Sequence, residues 1–567
     1  MPPKKEKTAV PAEDTSPSDT SRRTPGPRFA IIAGVLLLLA SLSSSVSQLN
    51  LSPVYGAIPA SRWHQQGITA TALIALTAKR YLQKLPFGGA KPCIPVMAFW
   101  IPVIQCILFS YSGSFGPVYG PLVTEISTFF PLLLLTMTSA ITILESMDMS
   151  GLNPTIAEMA PALMSYLVFS AGKQSVATLL PPWIGTSTFF TRSGLQMALA
   201  CWYTALAPSK LILLAIPAMI HTSWFNPHLT SDSGTALVNS TLHHHQYSLL
   251  ERKESLTGYI SVLESHEHQY QLLRCDHSLL GGDWLVTEKT RKKGQTKRET
   301  VYSVFTMLEA VRLVERAESR PDRDSSALFI GLGIGTSPKA FIELGINTTI
   351  VELDPVVYDF ARKYFELPPN HNAFVQNALP FVDSFKKSQP ASFDYIVHDV
   401  FTGGAEPTAL FTIEFLGGLS RLLKDDGVIA INYAADITTL PVKIVLRTIH
   451  QVFPTCRIYH DQAPEDTGNT FLNMIVFCTK QRRGTITFRT PVDADFAGSL
   501  SRRHWIPPKN EQEILYSSIV TGEDTRNSEL VLRRGEEQKL DQYHLESASR
   551  HWELMRTVVP DAVWELW

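Results

Sequence analysis

Apolar and polar positions divide the chain into two unlike halves. Residues 29–61 carry no charge, and 31–40 are almost purely aliphatic. A helix needs about 20 apolar residues to cross a bilayer, and residues 29–49 meet that length. A cleaved signal peptide is the alternative, since the serines of 41–47 suit a cleavage site, but further apolar runs argue against it. Residues 93–124 and 126–144 are uncharged, and 159–172, 193–209 and 211–220 continue the pattern, with 67–77 a shorter run. Prolines within these runs are compatible with membrane helices. The pattern predicts six to eight spans. Glu125 and Glu158 are candidate intramembrane carboxylates, expected at span ends.

The second half alternates. Residues 246–290 predict short strands, among them 259–264 and 270–273, with a turn at Gly281-Gly282. Residues 300–314 have helical apolar spacing. From Ser326 a regular order begins: strand, glycine-rich turn, helix, then the strand Thr348-Thr-Ile-Val-Glu352-Leu-Asp354. A helix over 355–365, a strand at 373–376, a strand at 393–399, a helix over 411–423, a strand at 425–433, a helix over 442–452 and a late strand at 470–479 follow. Strands alternating with helices predict a doubly wound, Rossmann-like α/β sheet. The expected fold is thus a multi-span α-helical membrane region, then a small β domain, then that sheet. The boundaries read as a disordered basic tail (1–28), membrane region (29–221), small β domain (222–305), Rossmann-like domain (306–485) and a partly helical extension (486–567).

Composition sharpens this division. The chain's 567 residues have net charge −2 and 45% hydrophobic residues, averages that exclude a disordered chain and a nucleic-acid binder relying on bulk positive charge. Residues 29–221 hold 12 charges in 193 positions, whereas 222–567 hold 80 in 346. Six basic residues precede the first run, which favours a cytoplasmic N-terminus. The six cysteines form no CxxC pair. They suggest neither a disulfide framework nor a zinc site, and a reducing compartment. His243–His245 share no helix or strand face and read as a solvated turn, so no metal is expected.

Chemistry concentrates at the carboxyl ends of the predicted strands. In Ala327-Leu-Phe-Ile-Gly331-Leu-Gly333-Ile-Gly335-Thr336 the glycines let backbone approach a nucleotide. Glu352 stands at the next strand tip, 17 residues after Gly335, where an acid accepts hydrogen bonds from ribose hydroxyls. Asn377 and Ala378 follow the third strand, where an adenine edge is recognised, and Asp399 ends the fourth. The spacing GxGxG, not GxGxxG, favours an S-adenosylmethionine-type ligand over NAD. So does the helix–Leu-Leu-Lys-Asp-Asp-Gly–strand element over 411–432.

Residues 246–480 resemble the spermidine/spermine synthase superfamily, and most of all its membrane-fused, fungal-type branch. The likeness rests on the Gly-rich turn, Val351-Glu352-Leu-Asp354, Asn377-Ala378, and Tyr395-Ile-Val-His-Asp399 followed by Pro407-Thr-Ala-Leu-Phe-Thr-Ile-Glu-Phe415. The resemblance implies a transferase with a methyltransferase-like domain. Its co-substrate would be S-adenosylmethionine or the decarboxylated form, and its acceptor an amine, either a polyamine or a protein side chain. It implies Asp399 as the base that frees the amine's lone pair and Tyr302 as a residue positioning the acceptor. Soluble relatives also suggest a homodimer. The motif departs from the family at five places: Asp399-Val-Phe-Thr402 lacks the second acid of DxxD, Ile334 replaces an Asp, Asn377 replaces the adenine-side Asp, Leu280 stands near the position of a Gln, and Ser303 follows the Tyr. These departures leave open a non-catalytic membrane protein whose nucleotide domain senses or scaffolds, and more remotely a nucleotide-regulated transporter. The expected location is an integral, multi-pass membrane protein contacting lipid, with its catalytic domain in the cytosol.

Overall fold

The computed structural model describes residues 27–85, 88–147, 153–318, 320–400, 403–461, 471–482 and 484–567. Thr402 and the tail before Pro27 lie outside them. The charge-poor half forms a helical bundle: α1 (Pro27–Tyr55), α2 (His64–Leu82), α3 (Ile94–Phe109), α4 (Ser112–Ser127), α5 (Phe129–Glu145), α6 (Pro154–Leu179), α7 (Arg192–Leu206) and α8 (Ile216–Trp224). Helix α1 packs on α5, α6 and α7. Only Arg28–Tyr55, Lys91–Phe109 and Ser112–Glu145 are long and apolar enough to cross a membrane, among the described residues. Six to eight spans were expected, and three candidates meet the length and composition of one. Helices such as α2, which opens His-Gln-Gln-Gly, are too polar despite their length. Glu125, expected at a span end, lies near the end of α4. It is 1% exposed inside the bundle, where Oε1 accepts from Ser47, Gln48 and His64 at 2.9, 3.0 and 2.7 Å.

Helix α9 (Asp232–Leu242) leads into a five-stranded antiparallel sheet of β1 (Tyr247–Glu254), β2 (Tyr259–Ser265), β3 (Tyr270–Cys275), β4 (Ser278–Trp284) and β5 (Glu299–Thr300), in that spatial order. Residues 300–314 are not one helix. Only α10 (Ser303–Leu308) is α-helical before a tighter 3-10 turn, and Tyr302 lies ahead of it in extended backbone.

The second sheet has eight strands, β6 (Ser326–Ile330), β7 (Asn347–Glu352), β8 (Asn372–Val375), β9 (Phe393–His398), β10 (Leu423–Asp436), β11 (Thr455–His460), β12 (Phe471–Thr479) and β13 (Glu513–Ile514), ordered β13-β11-β12-β10-β9-β6-β7-β8. Strands β10 to β8 pair in parallel, and β12, β11 and β13 add antiparallel neighbours. Helices α11 (Thr336–Glu343), α12 (Pro355–Tyr364), α13 (Ala378–Ser388), α14 (Ile413–Leu422) and α15 (Leu440–Val452) cover its faces. One core packs Phe381, Leu416 and Val445 on the sheet, and the other packs Met307, Phe329 and Phe341. Burial on both faces explains why β6, β9 and β10 read as continuous apolar runs.

Two features escaped the sequence. Cys456 and Cys478 lie opposite each other on β11 and β12 and form a disulfide, a single pairing that the cysteine pattern did not announce. Cysteines 22 residues apart carry no short-range signal, and only strand register brings them together. The C-terminal extension also folds back. Helices α16 (Gln538–Val558) and α17 (Asp561–Glu565) return to the junction of the two halves. There Trp567 stacks on His228 at 4.8 Å and meets Tyr259 edge-on at 5.9 Å.

Candidate active site

A cleft of ≈ 680 Å³ opens at the carboxyl ends of β6, β7, β9 and β10. The parallel sheet dictates its place, because each strand delivers its last residue to one edge. Tyr302, Gly331, Gly333, Glu352, Asn377, Ala378 and Asp399 all line it. Gly335 does not. It caps the start of α11 in left-handed backbone and faces Leu367.

One wall of the cleft begins at the glycine turn. Gly331 has φ +89°, and a Cβ there would lie 2.0 Å from the Asp399 carbonyl oxygen; at Gly333, φ +54°, it would lie 2.6 Å from that of Leu280. Only glycine fits this close backbone approach. Glu352 fastens the turn from below. Its carboxylate accepts from the Leu332 and Asp354 amides at 3.0 and 2.8 Å. Burial outweighs those bonds and pushes its pKa up to about 7. Asp354 serves the scaffold instead. It caps α12 and accepts from Ser255 and Thr257 of the β domain at 2.7 and 2.6 Å, which holds that domain over the cleft. The Asn377 Oδ1 accepts from the Leu379 amide at 2.8 Å, capping α13.

Asp399 lines the same cleft. Burial pushes its carboxyl up to about 6, against one opposing hydrogen bond from Asn432. That bond, Nδ2 to Oδ1, is 2.8 Å long. The Tyr302 hydroxyl is buried without a partner, and burial raises its pKa to about 12. Ile334 packs on Gly281 beneath the turn, and Leu280 lines the wall. Sequence reasoning missed Asn432, Asp461 and Asn473, which also line the cleft. Asn432 was within reach of the rule that ligands gather at carboxyl ends of strands. It also missed His551, contributed by α16, which no local motif announces.

Residues 324–488 match the model of the spermine/spermidine synthase domain. The N-terminal histidine N-methyltransferase of Emericella nidulans is 43% identical over 543 residues, spanning 95% of this chain and 97% of that protein. The chain belongs to the spermidine-synthase-like branch of S-adenosylmethionine-dependent methyltransferase-like proteins. The polyamine aminopropyltransferase of Vibrio vulnificus is 32% identical over 167 residues, covering 29% of this chain and 54% of that enzyme. A probable spermidine synthase structure from Corynebacterium glutamicum aligns with TM-score 0.35 at 19% identity, over 45% of this chain and 86% of that one. In this spermidine-synthase-like domain the co-substrate is S-adenosylmethionine or its decarboxylated form. The backbone cradle at Gly331 and the acid Glu352 fit the nucleoside of either.

Proposed function

We propose that the protein is a membrane-anchored methyltransferase that moves the methyl group of S-adenosylmethionine to the imidazole ring of an amino-terminal histidine. The observation that carries this reading is 43% identity, across nearly the whole chain, to a relative named an N-terminal histidine N-methyltransferase; transfer to the ring rather than to the α-amine is the step we add. The acceptor motif supports it: Asp399 has no partner acid at Thr402, where a diammonium acceptor would need one.

The co-substrate supplies an electrophilic methyl on a sulfonium. The chain's residues supply alignment and a proton acceptor. A neutral imidazole attacks through its unprotonated nitrogen; the methyl–sulfur bond breaks and its electron pair stays on sulfur. The ring becomes cationic and releases the proton of its other nitrogen. Asp399 is suited to take it. Asn432 holds one carboxylate oxygen and so orients the other, and a pKa of about 6 keeps the group mostly ionised at neutral pH.

The three candidate spans and the six basic residues before them support an integral membrane anchor. Three spans, were all the candidates to cross, would put residues 222–567 across the membrane from the N-terminus. The Cys456–Cys478 disulfide likewise supports a catalytic half facing an oxidising compartment, since cytosolic thiol pools keep such pairs reduced. Protease protection in sealed vesicles tests this side, and digestion of residues 222–567 from the cytosolic face would reject it. The activity is tested with the full chain in detergent, methyl-labelled S-adenosylmethionine and a peptide beginning with histidine. Label on the ring is expected. Label equally on a peptide with only an internal histidine would reject the amino-terminal assignment.

A further inference from the structure

Asn432 stands on β10, whose parallel register with β9 sets Ile431 opposite His398 and so brings Asn432 level with Asp399. It is 5% exposed and lines the cleft. Its amide is oriented by the group it faces. An ionised carboxylate only accepts hydrogen bonds, so the nitrogen is the atom 2.8 Å from Asp399 Oδ1, and the oxygen points elsewhere. That oxygen, Oδ1, is buried and has no hydrogen-bond partner among the described residues. Buried polar atoms are nearly always paired, so an orphan on a residue lining a cleft marks where a ligand brings the missing donor. We propose that Asn432 recognises the amino terminus of the substrate: its Oδ1 accepts from the α-ammonium of the terminal histidine while Asp399 faces the ring. This rests on the methyltransferase reading above and adds to it a source for the amino-terminal preference.

The chemistry of such a substrate matches this pair of residues. An amino-terminal histidine carries two kinds of nitrogen donor, the ring N–H and the α-ammonium. The cleft answers with two oxygens on neighbouring strands, the second carboxylate oxygen of Asp399 and the carbonyl oxygen of Asn432. A charged donor strengthens the bond to Asn432. An α-nitrogen held as ammonium also has no lone pair, so it cannot take the methyl group, and the neutral ring is left as the nucleophile. A histidine inside a peptide has an acylated nitrogen in place of the ammonium and gains no charged bond. Gly331 and Glu352, which fit the nucleoside, stand on other elements. Changes at Asn432 should therefore separate substrate binding from co-substrate binding.

The test is a cycle between one residue and one group of the substrate, run with the full chain in detergent. Steady-state kinetics compare a histidine-initiated peptide with its des-amino counterpart, which begins with imidazolepropionyl and lacks the α-nitrogen. In the wild type, loss of the amine should lower kcat/KM about ten- to a hundredfold, the scale of a hydrogen bond to a charged group. In Asn432→Ala the two peptides should lie within about threefold of each other. The lost bond to Asp399 slows both peptides alike and cancels from that ratio, which therefore reports the substrate contact. Asn432→Asp keeps an acceptor oxygen and should retain the preference for the amine. Calorimetry with S-adenosylmethionine checks that each variant is folded, with affinity within about twofold of wild type. If the alanine variant fails that check, Asn432→Ser takes its place with the same expected ratio. A wild type equally active on both peptides would overturn the proposal. So would a preference that survives in Asn432→Ala or disappears in Asn432→Asp. A wild type that binds S-adenosylmethionine but methylates neither peptide would overturn the methyltransferase reading itself, and this proposal with it.

Discussion

Asp399 and Glu352 are both buried carboxylates with raised pKa values, and their titrations should be separable. In the proposed mechanism Asp399 acts only when ionised, so kcat at saturating donor should rise with pH through about 6 and then level off. Asp399→Asn removes the proton acceptor while keeping the bond from Asn432. It should lower kcat by about 10²- to 10⁴-fold, the range of a general base, with donor affinity nearly unchanged. Glu352 concerns donor binding. A ribose hydroxyl donates to the ionised form, which accumulates only above about pH 7. Donor affinity measured by calorimetry should therefore weaken about tenfold per unit as pH falls below 7. Glu352→Gln should flatten that dependence. A flat wild-type profile would remove Glu352 from the donor site.

The elements explain what could be read in advance. Period-two and continuous apolar runs mark β6, β7, β9 and β10, and parallel pairing then gathers Gly331, Glu352 and Asp399 at one edge. That part of the site was legible because a local pattern fixes each strand and topology supplies the convergence. Residues whose placement depends on distant packing were not legible. His551 arrives on a helix 152 positions after Asp399, and the disulfide needs the β11–β12 register. Tyr302 was assigned to a helix by its spacing, yet the chain becomes helical only at Ser303. Asp394, at the start of β9, illustrates a purely structural role. Burial alone would raise its pKa. Bonds from Lys424 at 2.7 Å, Arg316 at 2.8 Å and the Ser326 amide at 2.9 Å win and bring it down to about 2. A lowered carboxylate pKa stabilises the fold above the unfolded value near 4, and that contribution is lost as pH falls from about 4 through 2. Asp394→Ala leaves Arg316 with Asp426 as its remaining ionic partner and removes the acceptor of these three bonds, which should cost about 1–3 kcal/mol. A chemical-denaturation midpoint that did not move would show that the network contributes nothing net.

At the scale of the molecule, two buried arginines join the two halves. Arg192 is fully buried at the start of α7. Its Nη1 donates to Glu254 of β1 at 3.0 Å and its Nε to the Leu49 carbonyl of α1 at 2.6 Å. Arg274 of β3 similarly bonds the carbonyls of Pro53 in α1 and Val563 in α17. The helical bundle is thus bolted to the catalytic half rather than tethered by a linker. Arg192→Met leaves Glu254 buried and charged, and should destabilise the full chain by about 3–5 kcal/mol, read as a lower Tm in detergent. Adding Glu254→Gln should restore part of the loss. The central claim concerns which group is transferred, and a donor comparison tests it most directly. The full chain is incubated separately with S-adenosylmethionine and with its decarboxylated form, each with a histidine-initiated peptide and with putrescine, and the products are weighed by mass spectrometry. The expected product is a peptide heavier by one methyl group, from S-adenosylmethionine alone; aminopropylated putrescine from the decarboxylated donor, with the peptide unmodified, would contradict it.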